Sequence, residues 1–280
     1  MRTKPHIASG FVKLLVYANV FIAIAAVAHV LVTYALFPIP INFENNSYLL
    51  FIFLSTYLQY NVQRGYMINP VNAGTERSQW LIKNRKKLLV SLGISLIIVL
   101  FLCNNLSYTS IGIMVGAELV STFYYLPPFN LRKQGYIKPF LISVIWVISC
   151  SVVPLIEHDL IKANTYWFFI SQFCFVSALC FLFDIKDMET DYMNGINTYA
   201  NKFGVKVTKI LCLFLIAICG LTFYLYTSDA KALISEIVTL SIASLVILFT
   251  NEKRSDFYYY LLVDGLLIVQ SMVAILTNYK

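Results

Sequence analysis

The sequence predicts an all-α polytopic membrane protein, a bundle of about nine transmembrane helices forming one domain over residues 1–280. Three observations carry this prediction. First, 59% of the 280 residues are hydrophobic and only 12% are charged. One soluble core cannot hide that much apolar side chain, so lipid must act as part of the solvent. Second, apolar runs recur near the ~20-residue length that crosses a bilayer as a helix. Third, Lys and Arg collect on alternate loops.

In chain order the runs are Phe11 to Phe37, Tyr48 to about Tyr60, Leu88 to Cys103, Tyr108 to Leu126, Pro139 to Ile156, Thr165 to Phe183, Ile210 to Tyr226, Ala232 to Thr250 and Phe257 to Thr277. Transmembrane β-strands would be about half as long and would alternate in polarity, which these runs do not. The first run follows Met1-Arg2-Thr3-Lys4 as a signal peptide would. Its length of about 27 residues and the lack of a small-residue cleavage site make it a retained helix. Pro38-Ile39-Pro40 marks the turn that follows.

Of the 21 Lys and Arg, all but Lys162, Lys231 and Lys280 fall in the N-terminal tail, at the start of the first run (Lys13) or in the loops after the second, fourth, sixth and eighth runs. The positive-inside rule then puts the N-terminus and those loops in the cytoplasm and the C-terminus outside, in a bacterial inner (plasma) membrane. The net charge of +7 is accounted for in this way and implies no nucleic-acid partner. The six cysteines lie in or beside apolar runs without CxxC spacing, which suits packing rather than zinc or redox chemistry.

Chemistry concentrates in Phe183-Asp184-Ile185-Lys186-Asp187-Met188-Glu189-Thr190-Asp191, at the cytoplasmic end of the sixth run. If the helix continues, Asp184, Asp187 and Asp191 at i, i+3 and i+7 lie within a wedge of roughly 60°. Such a carboxylate set suits a hard divalent cation, Mg²⁺, which binds through one or two carboxylates and substrate phosphates. A solvated acidic turn balanced by Lys186 is the plainer reading. Two further acids, Glu118 and Asp264, interrupt apolar runs. Intramembrane acids of this kind usually face a bundle interior or cavity.

These residues resemble the UbiA-type intramembrane prenyltransferases. That family's second motif, Asp-x-x-Asp-x-x-x-Asp followed by Gly, Thr and Leu/Phe-Gly, is matched in order by Asp184, Asp187, Asp191, Gly195, Thr198 and Phe203-Gly204. Its Tyr-Ser-x-Pro-Pro-x-x-Leu-Lys-Arg pattern is similar to Tyr124-Tyr125-Leu126-Pro127-Pro128-Phe129-Asn130-Leu131-Arg132-Lys133, with the basic pair in swapped order. The first motif, Asn-Asp-x-x-Asp-x-x-x-Asp, falls on Asn61 to Asn69. Asn61 survives, while Val62, Gly65 and Asn69 stand where the aspartates would be.

The resemblance implies transfer of an isoprenoid group from a prenyl diphosphate to a membrane-soluble acceptor, a quinone, aromatic or other lipid precursor. It implies Mg²⁺ on Asp184, Asp187 and Asp191, diphosphate contacts from Arg132 and Lys133, and aromatic faces at Tyr124 and Tyr125 for an allylic cation. With the first motif lacking acids, Asn61, Gln63 or Asn69 would serve as neutral ligands, and Arg64, Arg77 and Lys83 would share the neutralisation of diphosphate. The alternative is an inactive UbiA-like chain that keeps the fold to bind an isoprenoid lipid or a membrane partner.

Overall fold

The computed structural model describes residues 10–41, 46–66, 74–126 and 129–278. Asn69 of the first motif and Pro127-Pro128 of the Tyr-Ser-x-Pro-Pro-like stretch lie outside them. Among the described residues every regular element is helical. The helices are α1 (Gly10–Tyr17), α2 (Val20–Leu36), α3 (Ser47–Tyr66), α4 (Glu76–Lys83), α5 (Arg85–Leu102), α6 (Tyr108–Tyr125), α7 (Lys138–Glu157), α8 (Thr165–Met193), α9 (Tyr199–Tyr226), α10 (Ala230–Phe249) and α11 (Tyr258–Asn278).

Several helix starts are set by side-chain caps. The hydroxyls of Thr75, Ser107 and Thr198 accept from the backbone N–H groups of Ser78, Ser110 and Asn201, each at 3.2 Å. The Asp229 carboxylate accepts from Ala232 N–H at 2.9 Å. Each satisfies one of the donors that a helix leaves unpaired in its first turn.

Among the described residues six helices, α5 and α7 to α11, are long and apolar enough to cross a membrane, and α1 with α2 makes a seventh if the bent pair is one span. The first apolar run is therefore not one straight helix. It breaks at Asn19, whose φ of 59° is left-handed, and the two halves meet at 64°. The helices α3 and α6 stand where the sequence predicts spans but are less apolar, because both turn polar side chains inward. Ser55, Thr56, Gln59 and Gln63 of α3 and Glu118 and Ser121 of α6 line an internal cavity.

The bundle closes on itself through packing of α2 on α3, α3 on α6, α6 on α7, α7 on α8, α8 on α9, α9 on α10, α10 on α11 and α11 on α2. Of these six spans α8 is the most enclosed, while α5 presents Leu89, Ile94, Ile97 and Phe101 outward. In a membrane that face meets lipid, which needs no protein partner to cover it. The main core joins apolar side chains of α2, α3, α7, α8, α9 and α11.

Two turns fix the ends of the functional helices. At the end of α8, Gly195 has a φ of 70° and Ile196 N–H reaches back to Asp191 C=O at 2.8 Å, the left-handed cap that glycine suits. Gly204 has φ 80° and ψ 168°, a conformation open essentially to glycine alone, and it kinks the start of α9. The glycines and threonine that follow the three aspartates are thus explained by backbone geometry. Gly135 has a different role. A Cβ there would overlap the Asn197 carbonyl, so its bare backbone lets the segment before α7 lie against the α8–α9 turn.

Candidate functional site

A cavity of about 280 Å³ opens inside the bundle. Its body is apolar, with Phe21, Ile52, Met114, Ile142, Leu179 and Leu267 among its walls. Tyr60, Trp146 and Phe183 add aromatic faces, and Trp146 donates its indole N–H to the Tyr60 hydroxyl at 3.3 Å. Five cations also line it: Arg64, Arg77, Arg132, Lys138 and Lys186. They come from the end of α3, from α4, from the turn Leu131–Lys133, from the first residue of α7 and from the last turns of α8. Chain direction brings all five to the same end of the bundle.

The helix α8 does continue through the acidic stretch, but the three aspartates do not share one ligand position. The Lys138 ammonium lies 2.7 Å from Asp184 Oδ1 and 3.0 Å from Asp191 Oδ2. The second contact is a directed hydrogen bond; the first lacks that alignment, and among the described residues neither oxygen of Asp184 has a hydrogen-bond partner. Arg132 Nη2 approaches Asp191 Oδ1 at 3.5 Å. Asp184 and Asp191 have no solvent exposure, and Asp187 alone of the three lines the cavity, with Lys186 at 2.7 Å.

Among the described residues no group of three acidic, His or Cys side chains is arranged to hold a metal ion. The three-aspartate Mg²⁺ set expected from the sequence is therefore not assembled. An ammonium fills the space between Asp184 and Asp191, and these residues as arranged do not fit a resident divalent cation. The sequence pattern could not reveal this, because Lys138 lies 46 positions before Asp184 and only the fold joins them.

The other predicted residues divide. Tyr124 and Arg132 line the cavity; Tyr125 is buried away from it, and Lys133 points outward and is exposed. Arg64 faces the cavity, but Asn61 does not. The Asn61 amide donates to Ala18 C=O and Tyr57 C=O, both at 2.8 Å, and its oxygen accepts from Asn19 Nδ2 at 3.1 Å. Asn19 Oδ1 in turn accepts from Arg77 Nη2 at 2.6 Å. Asn61 therefore pins the α1–α2 break and, through Asn19, aims Arg77.

The first-motif register also misses the cavity. Val62 is exposed on another face of α3, whereas Gln59, Gln63 and Arg64 point in. Lys83 is not on the cavity wall. Tyr260, which sequence reasoning did not single out, receives two cations on its ring, Arg77 at 4.8 Å and Lys186 at 4.9 Å. Such stacking holds a guanidinium or ammonium without neutralising it. It sits in the six-residue π-helical turn Tyr258–Val263. Glu118 and Asp264 both line this same cavity. Lys13 bonds Glu76 at 2.6 Å and holds that carboxyl below its ordinary range, tying α4 to α1.

No protein-family model matches this sequence, and no curated protein matches it. Solved structures do. A UbiA homologue from Archaeoglobus fulgidus superposes with a TM-score of 0.66 at 14% identity, covering 94% of this chain and 99% of that one. The fold is that of the UbiA homologues. The Archaeoglobus structure bound to GPP and Mg²⁺ gives a TM-score of 0.65 at 12% identity with the same coverage. A digeranylgeranylglyceryl phosphate synthase in membranes gives 0.58 at 17% identity, over 95% of this chain and 98% of that one. The UbiA-like assembly thus spans nearly the whole chain, and at these identities it is the path of the backbone that is shared.

Proposed function

We propose that this protein is a prenyltransferase of UbiA type, moving an isoprenoid group from a prenyl diphosphate to a membrane-soluble acceptor. The observation that carries the reading is the pairing of charges in the cavity. Among the described residues, Asp184, Asp187 and Asp191 are each matched to Lys138, Lys186 or Arg132, while no carboxylate lies within ion-pair distance of Arg64 or Arg77. Two uncompensated guanidiniums at one end of an apolar chamber call for an anion with an apolar tail. A prenyl diphosphate has both parts. Guanidinium forks suit phosphate oxygens.

In this reading the isoprenoid tail lies in the apolar body and its first carbon near Tyr60, Tyr124 and Trp146. The bond from that carbon to the diphosphate oxygen breaks, and its electron pair leaves with the diphosphate, where Arg64, Arg77 and Arg132 stabilise the developing charge. The aromatic faces stabilise the allylic cation. The acceptor bonds to that carbon and loses a proton to a cavity carboxylate, for which Asp187, Glu118 and Asp264 are placed. Resident Mg²⁺ has no part in this scheme. We assign the basic end to the cytoplasmic side, with α3 and α6 completing nine crossings and the C-terminus outside.

Purified protein in detergent should bind a non-hydrolysable thio-analogue of geranyl diphosphate, and Arg77→Ala should weaken that binding by about tenfold, the effect of losing one charge-assisted contact. Released diphosphate on addition of aromatic and quinone-precursor acceptors would establish turnover. Binding with no release for any acceptor would favour the inactive, lipid-binding alternative, toward which the acid-free cavity face of α3 points. No binding by the wild type would overturn the reading.

A further inference from the structure

Resting on the function just proposed, the geometry points to a site that takes its diphosphate without a divalent metal, because Lys138 occupies the position between Asp184 and Asp191 where a cation is required. Both carboxylates are fully buried, and the ammonium is within 3.0 Å of an oxygen of each. Burying two like charges side by side is strongly unfavourable unless a cation lies between them. Lys138 meets that need with one tethered charge, and Arg132 supplies a second at 3.5 Å from Asp191. The four groups sum to zero, so no net negative charge remains there to draw Mg²⁺ out of water.

The rest of the cavity agrees. Asp187 has Lys186 at 2.7 Å, and the polar side chains that α3 turns into the cavity, Ser55, Thr56, Gln59, Gln63 and Arg64 among them, include no acid. A metal-dependent diphosphate site needs carboxylates that are not already paired with fixed cations, since the metal is what joins two anions. Here the five fixed cations Arg64, Arg77, Arg132, Lys138 and Lys186 outnumber the three aspartates of α8. Arg64 and Arg77 then contact diphosphate directly, and Lys138 is a positioning residue that holds the two buried aspartates and the start of α7.

Two measurements test this. The first is binding of the thio-analogue of geranyl diphosphate to the wild type in EDTA and in excess Mg²⁺. Dissociation constants within about threefold of each other support the inference, because removing a ligating partner from a working metal site typically costs 10–100-fold. Binding that appears only with Mg²⁺ overturns it and leaves the proposed function standing, whereas no binding in either condition overturns the proposed function.

The second is Mn²⁺ binding without diphosphate, followed by electron paramagnetic resonance, which decides the role of Lys138 on its own. Wild type should bind no tight Mn²⁺, and Lys138→Ala, which frees Asp184 and Asp191, should gain one site per chain. One tight Mn²⁺ on the wild type, lost in Asp184→Asn, overturns the inference. Both wild-type arms remain decisive where Lys138→Ala does not fold.

Discussion

Replacing Lys138 with methionine keeps much of the side-chain volume and removes only the ammonium. Asp184 and Asp191, both without solvent exposure, would then face one another across an apolar methyl group, with Arg132 the remaining cation at 3.5 Å from Asp191. Breaking a buried pair by removing one partner costs about 3–5 kcal/mol, because the orphaned charge stays buried. For a chain of this size that lowers the thermal midpoint on the order of 10 °C. Tryptophan fluorescence during heating in detergent reads it, since Trp146 lies on the α7 helix that Lys138 begins. The variant Lys138→Met/Asp184→Asn/Asp191→Asn removes all three charges and should recover most of the loss, as neutral replacements of buried ion pairs often do. A single-variant shift under about 2 °C, or a triple variant no better than the single, would refute the claim that the lysine compensates these acids.

Two further outcomes follow from the same geometry. Asn61→Ala breaks the Asn61–Asn19–Arg77 chain of hydrogen bonds and should raise the dissociation constant of the diphosphate thio-analogue about three- to tenfold, the worth of one to two net hydrogen bonds; isothermal titration in detergent checks it, and an unchanged constant would mean that Arg77 is aimed without Asn61, by the Val16 carbonyl, Asn19 and the Tyr260 ring. Gln63→Asp adds a carboxylate to the cavity wall and should weaken analogue binding in EDTA by about tenfold through like-charge repulsion, with Mg²⁺ restoring part of the loss; tighter binding in EDTA would contradict the charge balance argued for the site.

The spans were legible because a bilayer imposes a length and an apolar composition that survive extensive sequence change. Even so, the break at Asn19 was invisible, since a single left-handed residue leaves hydropathy untouched. The second motif was legible as three acids on one side of a helix, and the glycines after it were legible as turns. Where those acids point was not, because their partner is Lys138, which hydropathy places at a helix start as an ordinary topology charge. The first motif misled in another way. Asn61 matched the pattern, yet it bonds to the backbone of Ala18 at the α1–α2 break and of Tyr57 in α3, and the residues facing the cavity are its neighbours at 59, 63 and 64. A helix has a cavity face only once its neighbours are placed. For a half-polar helix such as α3, no periodicity in the chain identifies that face.

The missing acids on α3 and the filled acid pair on α8 have one physical meaning. In a site that uses metal, an ammonium set between the ligating carboxylates repels the ion, so Lys138 would be a defect. In a site that uses fixed cations, it is carboxylates on the α3 cavity face that would be the defect, because with no metal to bridge them they would repel diphosphate at close range. Gln59 and Gln63 there, with Arg64 beside them, are what the second kind of site requires. The acid-free cavity face of α3 and the filled acid pair on α8 are therefore coupled by charge rather than being separate features. One measurement separates coupling from decay. In a decayed site, Arg64→Ala and Arg77→Ala would leave diphosphate affinity unchanged, whereas in a metal-free site each would lower it, and both together by more than either alone.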